Sequence, residues 1–361
     1  MRILVYGAGA NLKMVCSALE RMEDQIVCIS DKDATKVGKK FGSYDIVAPT
    51  QIKNYSYDRI IVSLEKRKYF DEIKNELITL GIDEQKVVFW QDYLIMLPRD
   101  IGTMIVDWSK NLTPSELYSE LCSHADKLSK LEKEFLFGEH NRSYKWLHYF
   151  EIYNRHFAKF YDKDITIMEI GVNKGGSLQL WKKMFGSKSK IIGVDINPDC
   201  KRMEDDQISI YIGDQADRNF WKQVKSEIPQ LDILIDDGGH EMQQQIVTFE
   251  EMYPCVNTSG GGVYLCEDTC TSYDSKKYHN AGYHNPNNFI EYSKNFIDYI
   301  HAWFSKEQEL QINDVTRTAQ SLHYYSNVLV IEKRPMYPQF DMEVCNNKTE
   351  KYAIPHLRGM C

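Results

Sequence analysis

The chain has 361 residues, long enough for two domains, and its 43% hydrophobic content is ordinary for globular protein, which excludes a disordered or low-complexity chain. A formal net charge of -8 and a sequence pI near 5.7, with no long basic run at either end, argue against nucleic acid or an anionic membrane as the partner and point to a small molecule. Nine cysteines without a C-x-x-C pair, and a strand that begins next to Met1 with no signal sequence before it, predict free thiols in a reducing cytoplasm. No apolar run approaches the roughly 20 residues that cross a bilayer.

Arg2 to Tyr6 predicts a strand, Gly7-Ala-Gly9 a tight turn, Leu12 to Met22 a helix, and Gln25 to Ser30 a second strand ending at Asp31. A Gly-x-Gly turn into a helix, with an acid about twenty residues on, is half of a dinucleotide fingerprint, because such a turn lets phosphate approach backbone amides. Leu12 stands where the third glycine belongs. A strand at Asp58 to Ser63, a helix from Tyr69 to Leu80 and a strand at Lys86 to Trp90 complete a βαβ domain over residues 1–98. The runs Ile46-Val-Ala-Pro-Thr-Gln-Ile52, Tyr57 to Ser63 and Leu80-Gly-Ile82 resemble the small Rossmann-like domain beside sugar-modifying transferases. The resemblance implies nucleotide-sugar binding, whereas the incomplete fingerprint equally suits a scaffold used for assembly.

Pro98 to Gly102 reads as a domain boundary, and residues 99–140 as a helical linker. Thr113-Pro-Ser-Glu116 gives an N-cap, a first-turn proline and a glutamate at the third position, opening a helix to about Leu136. A second helix, Tyr144 to Phe160, carries Trp146, Tyr149, Phe150, Tyr153 and Phe157, a stripe that predicts core.

Residues 141–334 then alternate strands and helices. Ile165 to Met168 leads into Glu169-Ile-Gly171-Val-Asn173-Lys-Gly175-Gly-Ser177 and a helix from Leu178 to Phe185. The strands Lys190 to Val194 and Ile208 to Ile212 end at Asp195 and at Gly213-Asp214. Glycines at the first crossover let a small molecule lie against the backbone, an acid ending the second strand suits a ribose, and an acid ending the third lies where adenine could be met. Glu169, Gly171, Asp195 and Asp214 together resemble the S-adenosylmethionine site of class I methyltransferases. That implies an α/β, doubly wound sheet, with Glu169, Gly171, Asn173, Gly175, Asp195, Asp214 and Asp236 around the cofactor.

The stretch Leu231-Asp-Ile-Leu-Ile-Asp-Asp-Gly-Gly-His240 predicts a short buried strand ending in Asp236 and Asp237, with His240 just beyond. After a helix from Met242 to Met252, Gly260-Gly-Gly leads into Val263 to Cys266, which ends in Glu267 and Asp268. Neighbouring strands of an open α/β sheet present their carboxyl ends to one crevice, so these acids converge as a metal site with a base beside it. Cys266 and Cys270 flank the pair, and buried thiols fit them better than a zinc site lacking partner spacing. Thr269 to Asn288, with His279 and His284, could fold over a ligand. A helix from Phe289 to Trp303 and a hairpin within Ser321 to Lys333 follow, and 335–361 is a tail.

Asn141 to Phe157, the Glu169 loop, Asp236-Asp-Gly-Gly-His240 and Glu267-Asp268-Thr269 resemble metal-dependent sugar O-methyltransferases of the mycinamicin and tylosin pathways and the related cephalosporin hydroxylase-like group. The resemblance covers residues 140–334 and implies Mg²⁺ held by Asp237, Glu267 and Asp268, with His240 as base and Asp237 shared by both roles. Three carboxylates are hard donors that favour Mg²⁺, Mn²⁺ or Ca²⁺. A cation across neighbouring hydroxyls would stabilise an alkoxide for attack on the sulfonium methyl. The expected activity is thus S-adenosylmethionine-dependent, Mg²⁺-assisted O-methylation of a saccharide hydroxyl, on a nucleotide-activated hexose or heptose for a surface polysaccharide, in a cytoplasmic and possible homo-oligomeric enzyme. The rival readings are a hydroxylase or other enzyme on this fold, and a non-catalytic nucleotide-binding assembly module.

Overall fold

The computed structural model describes residues 1–21, 24–64, 66–94, 99–101, 104–106, 114–338, 341–345 and 348–353. Pro98, Gly102 and Thr113, on which the expected boundary and helix start rest, lie outside these. The chain divides into two compact units, Met1–Lys127 and Leu128–Cys361.

The first unit is built from β1 (Arg2–Tyr6), α1 (Leu12–Arg21), β2 (Gln25–Ser30), β3 (Lys40–Phe41), β4 (Tyr44–Val47), β5 (Arg59–Val62), α2 (Phe70–Thr79), β6 (Val87–Phe89) and α3 (Trp90–Leu94). Its sheet runs β3-β4-β2-β1-β5-β6 and is parallel apart from the β3–β4 pair. The central strand β1 buries Ile3, Leu4, Val5 and Tyr6 on both faces, as a parallel strand covered on two sides requires. On α1, Leu12, Val15, Cys16 and Leu19 recur at helical spacing and are all buried. The strands β3 and β4 were not expected, since two and four residues around a turn are too short to show a period. A short antiparallel pair, β7 (Arg99–Ile101) and β8 (Met104–Val106), and α4 (Pro114–Ser123) close the unit.

The expected single helix to Leu136 is instead two. A fresh capping box begins α5 (Lys130–Phe137): the Ser129 hydroxyl accepts from Glu132 N at 3.2 Å, and Glu132 Oε2 accepts from Ser129 N at 2.9 Å. The aromatic helix is also shorter than expected, α6 running only Tyr149–Phe157. Its Tyr149, Phe150, Tyr153 and Phe157 are core, whereas Tyr144 and Trp146 precede the helix and are exposed.

The second unit continues with β9 (Thr166–Ile170), α7 (Gly176–Met184), β10 (Lys190–Asp195), β11 (Ile208–Ile212), α8 (Arg218–Glu227), β12 (Ile233–Asp236), α9 (Met242–Met252), β13 (Val263–Cys266), α10 (Phe289–His301), α11 (Asp314–Thr318), β14 (Ala319–Tyr325) and β15 (Val328–Lys333). The sheet order is β11-β10-β9-β12-β13-β15-β14, with β14 and β15 an antiparallel hairpin as expected. Within the stretch expected as a tail, the described residues pair as two antiparallel strands, β16 (Asp341–Cys345) with β17 (Lys348–Ala353). Side chains alternate across the sheet. Ile233 and Ile235 pack with Tyr153, Phe157 and Trp181 of α6 and α7, while Leu234 packs with Trp221, Phe249 and Phe296 of α8, α9 and α10. Each such side chain stabilises the fold by roughly 1.5–3 kcal/mol relative to exposure.

Order reverses at β9, whose neighbours are β10 and β12, so the crevice beyond its carboxyl end is the ligand position of an open α/β sheet. Gly171 turns the chain there with φ +95°, and a β-carbon on it would stand 2.0 Å from the carbonyl oxygen of Asp237. The loops after β9 and β12 are thereby pressed together. Gly171→Ala should cost at least about 2 kcal/mol in denaturant unfolding, from strained backbone and overpacking together.

Lys333 on β15 is 2% exposed; its ammonium donates to the Tyr253 carbonyl at 2.8 Å and lies 4.0 Å over the Tyr253 ring. Burial draws its pKa down from 10.5 to about 8. Between those values the unfolded chain holds the extra proton, so this group's contribution to stability rises with pH and is lost as pH falls through 8. Relative to Lys333→Met, the wild-type unfolding free energy should gain on the order of 2 kcal/mol from pH 8 to pH 10.

Candidate active site

A cleft of about 520 Å³ opens at the reversal point, lined by Gly171, Asn173, Asp195, Asp214, Asp237, His240, Glu267 and Asp268 among others. Of the residues expected around the site, Glu169, Gly175 and Asp236 do not line it. Gly175 begins α7 in left-handed conformation at φ +76°. Asp236 is buried at the end of β12, where its Oδ1 accepts from Gln215 Nε2 at 3.0 Å and its Oδ2 has no partner. Burial raises its carboxyl to about 6.

On the glycine side, the Asp195 carboxylate braces the crossover loop. Oδ2 accepts from the amides of Val172 and Asn173, each at 3.0 Å, and Oδ1 from Asn197 N at 2.9 Å. Asp214 Oδ1 takes the amide of Ala216 at 2.8 Å. Exposed Ile196 follows Asp195 into the cleft wall and offers an apolar surface beside these acids.

On the acidic side, β12 and β13 bring Asp237, Glu267 and Asp268 together, and the register that pairs Asp236 with Cys266 places the acids side by side. His240 adopts φ +59° after Gly238-Gly239, which turns its Nε2 to 3.6 Å from Asp268 Oδ2 and 3.9 Å from Asp237 Oδ1. Ligand atoms of Asp237, His240 and Asp268 all lie within 4.8 Å of one another. The Asp237 and Asp268 carboxylates converging on a polar cleft are hard donors that fit a divalent cation, with the His240 imidazole beside them.

Glu267 is placed differently from its two neighbours. It is 1% exposed, its Oε1 accepts from the Tyr153 hydroxyl at 2.5 Å, and both its oxygens accept from Lys145 Nζ at 3.1 Å. The same ammonium reaches Asp237 Oδ2 at 2.6 Å and Glu169 Oε1 at 3.1 Å, and Glu169 Oε2 also accepts from Trp181 Nε1 at 2.8 Å. Burial opposes the charge on Lys145, but Asp237 and Glu267 more than offset it, so the ammonium is held well above its ordinary pKa. Burial, reinforced by Asp237 and relieved in part by Lys145, raises Glu267 well above the usual carboxylate range. Tyr149 donates to Asp268 Oδ1 at 2.5 Å, and burial followed by that bond raises its phenol.

Sequence reasoning missed Lys145, Tyr149 and Tyr153 as parts of this site because all three were absorbed into an aromatic helix. The available signal was a lysine set between Tyr144 and Trp146 at the start of an otherwise apolar stripe. Of the segment expected to cover a ligand, Lys277 and Tyr278 line the cleft, whereas His279 and His284 do not. Outside the cleft, His156, His323 and Glu332 form a second group of ligand-type side chains. There both nitrogens of His156 are engaged, by Glu332 Oε1 at 2.6 Å and the Tyr325 hydroxyl at 3.0 Å, and Lys159 adds its own positive charge 3.5 Å from Glu332. Cys266 and Cys270 are free thiols, the first buried and the second exposed, and neither joins a ligand group among the described residues.

Residues 1–88 match the family described as C2185-like, N-terminal. The chain is 32% identical over 200 residues to the 8-demethyl-8-alpha-L-rhamnosyl tetracenomycin-C 2'-O-methyltransferase of Streptomyces olivaceus, covering 53% of this chain and 52% of that relative. It is 31% identical over 201 residues to the mycinamicin VI 2''-O-methyltransferase of Micromonospora griseorubida, covering 52% of this chain and 49% of that one. The chain thus spans about half the length of these curated relatives. Among solved structures, the MycE methyltransferase from the mycinamycin biosynthetic pathway, in complex with Mg, SAH and mycinamycin VI, matches over 69% of this chain and 70% of its own, with TM-score 0.50 and 23% identity. No helix among the described residues is long and apolar enough to cross a membrane. The chain carries the class I methyltransferase fold, and its relatives by sequence are sugar O-methyltransferases of macrolide and polyketide glycosides.

Proposed function

We propose that this chain is an S-adenosylmethionine-dependent, divalent-cation-assisted O-methyltransferase acting on a saccharide hydroxyl. The observation that carries the reading is the meeting, in one cleft, of the Gly171–Asp195 crossover and the open group Asp237, His240 and Asp268. The names of the relatives support it, since each is an O-methyltransferase named for a glycoside.

When bound, the cofactor supplies an electrophilic methyl and the cation stabilises a developing alkoxide. The chain's own residues do the rest. Asp195, through the amides of Val172 and Asn173, holds the crossover loop where Gly171 leaves the backbone bare, and Asp214 and Ile196 shape the adenosine end. Asp237 and Asp268 are the hard donors for the cation. His240 Nε2 faces those carboxylates from the cleft and takes the hydroxyl proton as the C–O bond forms and the C–S bond breaks. Tyr149 fixes Asp268 by its 2.5 Å hydrogen bond, so that carboxylate does not have to be ordered on binding.

Exposed Tyr144 and Trp146, with Tyr278 and Lys277, form the outer wall, an amphipathic surface suited to the faces of a sugar ring. A nucleotide-activated hexose or heptose is one acceptor class to test, because unit one has a parallel sheet with its Gly7-Ala-Gly9 turn closing on Asp31. Glycosides of the kind named for the relatives are the other.

Calorimetric titration with S-adenosylmethionine should show stoichiometric binding. Methyl transfer to a panel of nucleotide-sugars and glycosides should require Mg²⁺, stop in EDTA, and fall by roughly 100-fold or more in Asp237→Ala and His240→Ala. Cofactor binding with turnover indifferent to EDTA would remove the metal from the mechanism. Absence of cofactor binding would favour an assembly module instead.

A further inference from the structure

Beyond the two tyrosines that serve the cleft, α6 carries a further polar side chain on the same face. Tyr149, Tyr153 and His156 follow the i, i+4, i+7 spacing of one helix stripe. The tyrosines reach Asp268 and Glu267, whereas His156 reaches the β14–β15 hairpin. There the ligand-type atoms of His156, His323 and Glu332 all lie within 4.8 Å of one another. His323 and Glu332 share one face of the hairpin, because His323 stands opposite Val330 and Ser321 opposite Glu332. The buried ring of His156 meets that of His323 edge-on, with centroids 4.7 Å apart. Burial holds His156 below the ordinary imidazole pKa, so the ring is neutral and free to act as a ligand. One imidazole would satisfy the Glu332 carboxylate as a hydrogen-bond partner; the second brings another nitrogen donor within reach of the same point.

We propose that His156, His323 and Glu332 form a zinc site that clamps α6 to the β14–β15 hairpin. Two imidazole nitrogens and one carboxylate oxygen are a donor set for Zn²⁺, whereas Mg²⁺ and Ca²⁺ take oxygen ligands. Hydroxyls already orient both rings, Tyr325 at 3.0 Å from His156 Nε2 and Ser321 at 2.9 Å from His323 Nε2, as outer partners of ligating histidines do. The 2.6 Å hydrogen bond from His156 Nδ1 to Glu332 Oε1 holds one proton, which the zinc replaces and releases to solvent. Zinc with ligand distances of 2.0–2.1 Å sets tetrahedral donors roughly 3.4 Å apart, so the half-buried Glu332 carboxylate withdraws by about 1 Å. Lys159, 3.5 Å from that carboxylate, is an exposed arm whose pairing is weak, and it swings clear. His323 and Glu332 are only half-buried, which leaves a fourth position to water. None of the three ligands lines the catalytic cleft, so the ion's role is mechanical: it fixes the helix whose first turns present Tyr149 and Tyr153. The clamp shares no residue with Asp237 and Asp268, and neither position depends on the other.

The test is Zn²⁺ binding to the full-length chain, stripped with EDTA and dialysed, with the bound ions counted by calorimetry and by metal analysis after desalting. His323→Gln binds one Zn²⁺ fewer than wild type, and the difference of one persists when both chains also carry Asp268→Asn, which disturbs the acids of the cleft. Zn²⁺ raises the unfolding midpoint of wild type by roughly 5 °C more than that of His323→Gln. Hydrogen exchange of the α6 amides slows with Zn²⁺ in wild type and stays unchanged in His323→Gln. Equal zinc counts in the two chains, or a gain in midpoint or in α6 protection that His323→Gln keeps in full, overturns the proposal. Should His323→Gln not fold, Glu332→Gln, which retains an acceptor for His156, takes its place: it too binds one ion fewer, and an unchanged count overturns the clamp.

Discussion

The second unit depends on one electrostatic constraint: acids that end adjacent parallel strands must be neutralised from inside the fold. Glu169, Asp237 and Glu267 come from β9 and from the ends of β12 and β13, and Lys145 is the group that meets all three. The bonds reach across 24, 92 and 122 residues of sequence, so the ammonium ties together segments far apart along the chain. It also explains a local departure from helical periodicity. Tyr144 to His148 could have continued α6 toward its N-terminus, yet Lys145 is drawn down among the carboxylates and the helix begins at Tyr149. The residues on either side, Tyr144 and Trp146, are left on the cleft wall.

Much of the architecture was legible because parallel strands and their connections leave periodic traces. The runs ending at Asp195, Asp214, Asp236 and Glu267 are short, apolar and followed by turn residues, and the structure places all four in neighbouring strands or just beyond them. The turn at Gly238-Gly239 was legible for the same reason, and it delivers His240 to the acids. What could not be read was which carboxylates stay open. Glu267 and Asp268 are adjacent in sequence and alike in chemistry. Strand geometry sends one inward, to Tyr153 and Lys145, and the left-handed backbone at Asp268, φ +51°, turns the next residue out toward the cleft. Sequence spacing carries no record of that choice, because the partner that decides it lies 122 residues upstream.

The two units share a device at their first crossovers. In unit two, Asp195 accepts from the amides of Val172 and Asn173; in unit one, Asp31 Oδ2 accepts from Ala8 N at 2.6 Å and its Oδ1 from Asp33 N at 2.8 Å. In each case the acid ending the second strand braces the loop leaving the first. A half-fingerprint with a Gly-x-Gly turn and an acid twenty residues on is therefore satisfied internally before any ligand is considered. In unit one Lys36 also reaches Asp31, at 3.2 Å, which makes a ribose hydroxyl a competitor for an oxygen already bonded. The pattern alone thus separates the two units poorly. The difference lies in what stands opposite.

In unit two the braced loop faces a cluster of acids that the chain only partly neutralises. One ammonium serves three carboxylates, while Asp268 has a tyrosine hydroxyl and a nearby imidazole and, among the described residues, no lysine or arginine in the ion pairs it makes. An uncompensated negative charge at a half-buried site is stable only beside solvent or a cation, and this one borders a 520 Å³ cleft. The same imbalance leaves the cleft side of the cluster negative, with the His240 imidazole beside it, an arrangement that suits a divalent ion. Complete neutralisation by a second lysine would make the fold more self-sufficient and leave nothing to bind. Lys145 sets how much of the cluster's negative charge remains toward the cleft.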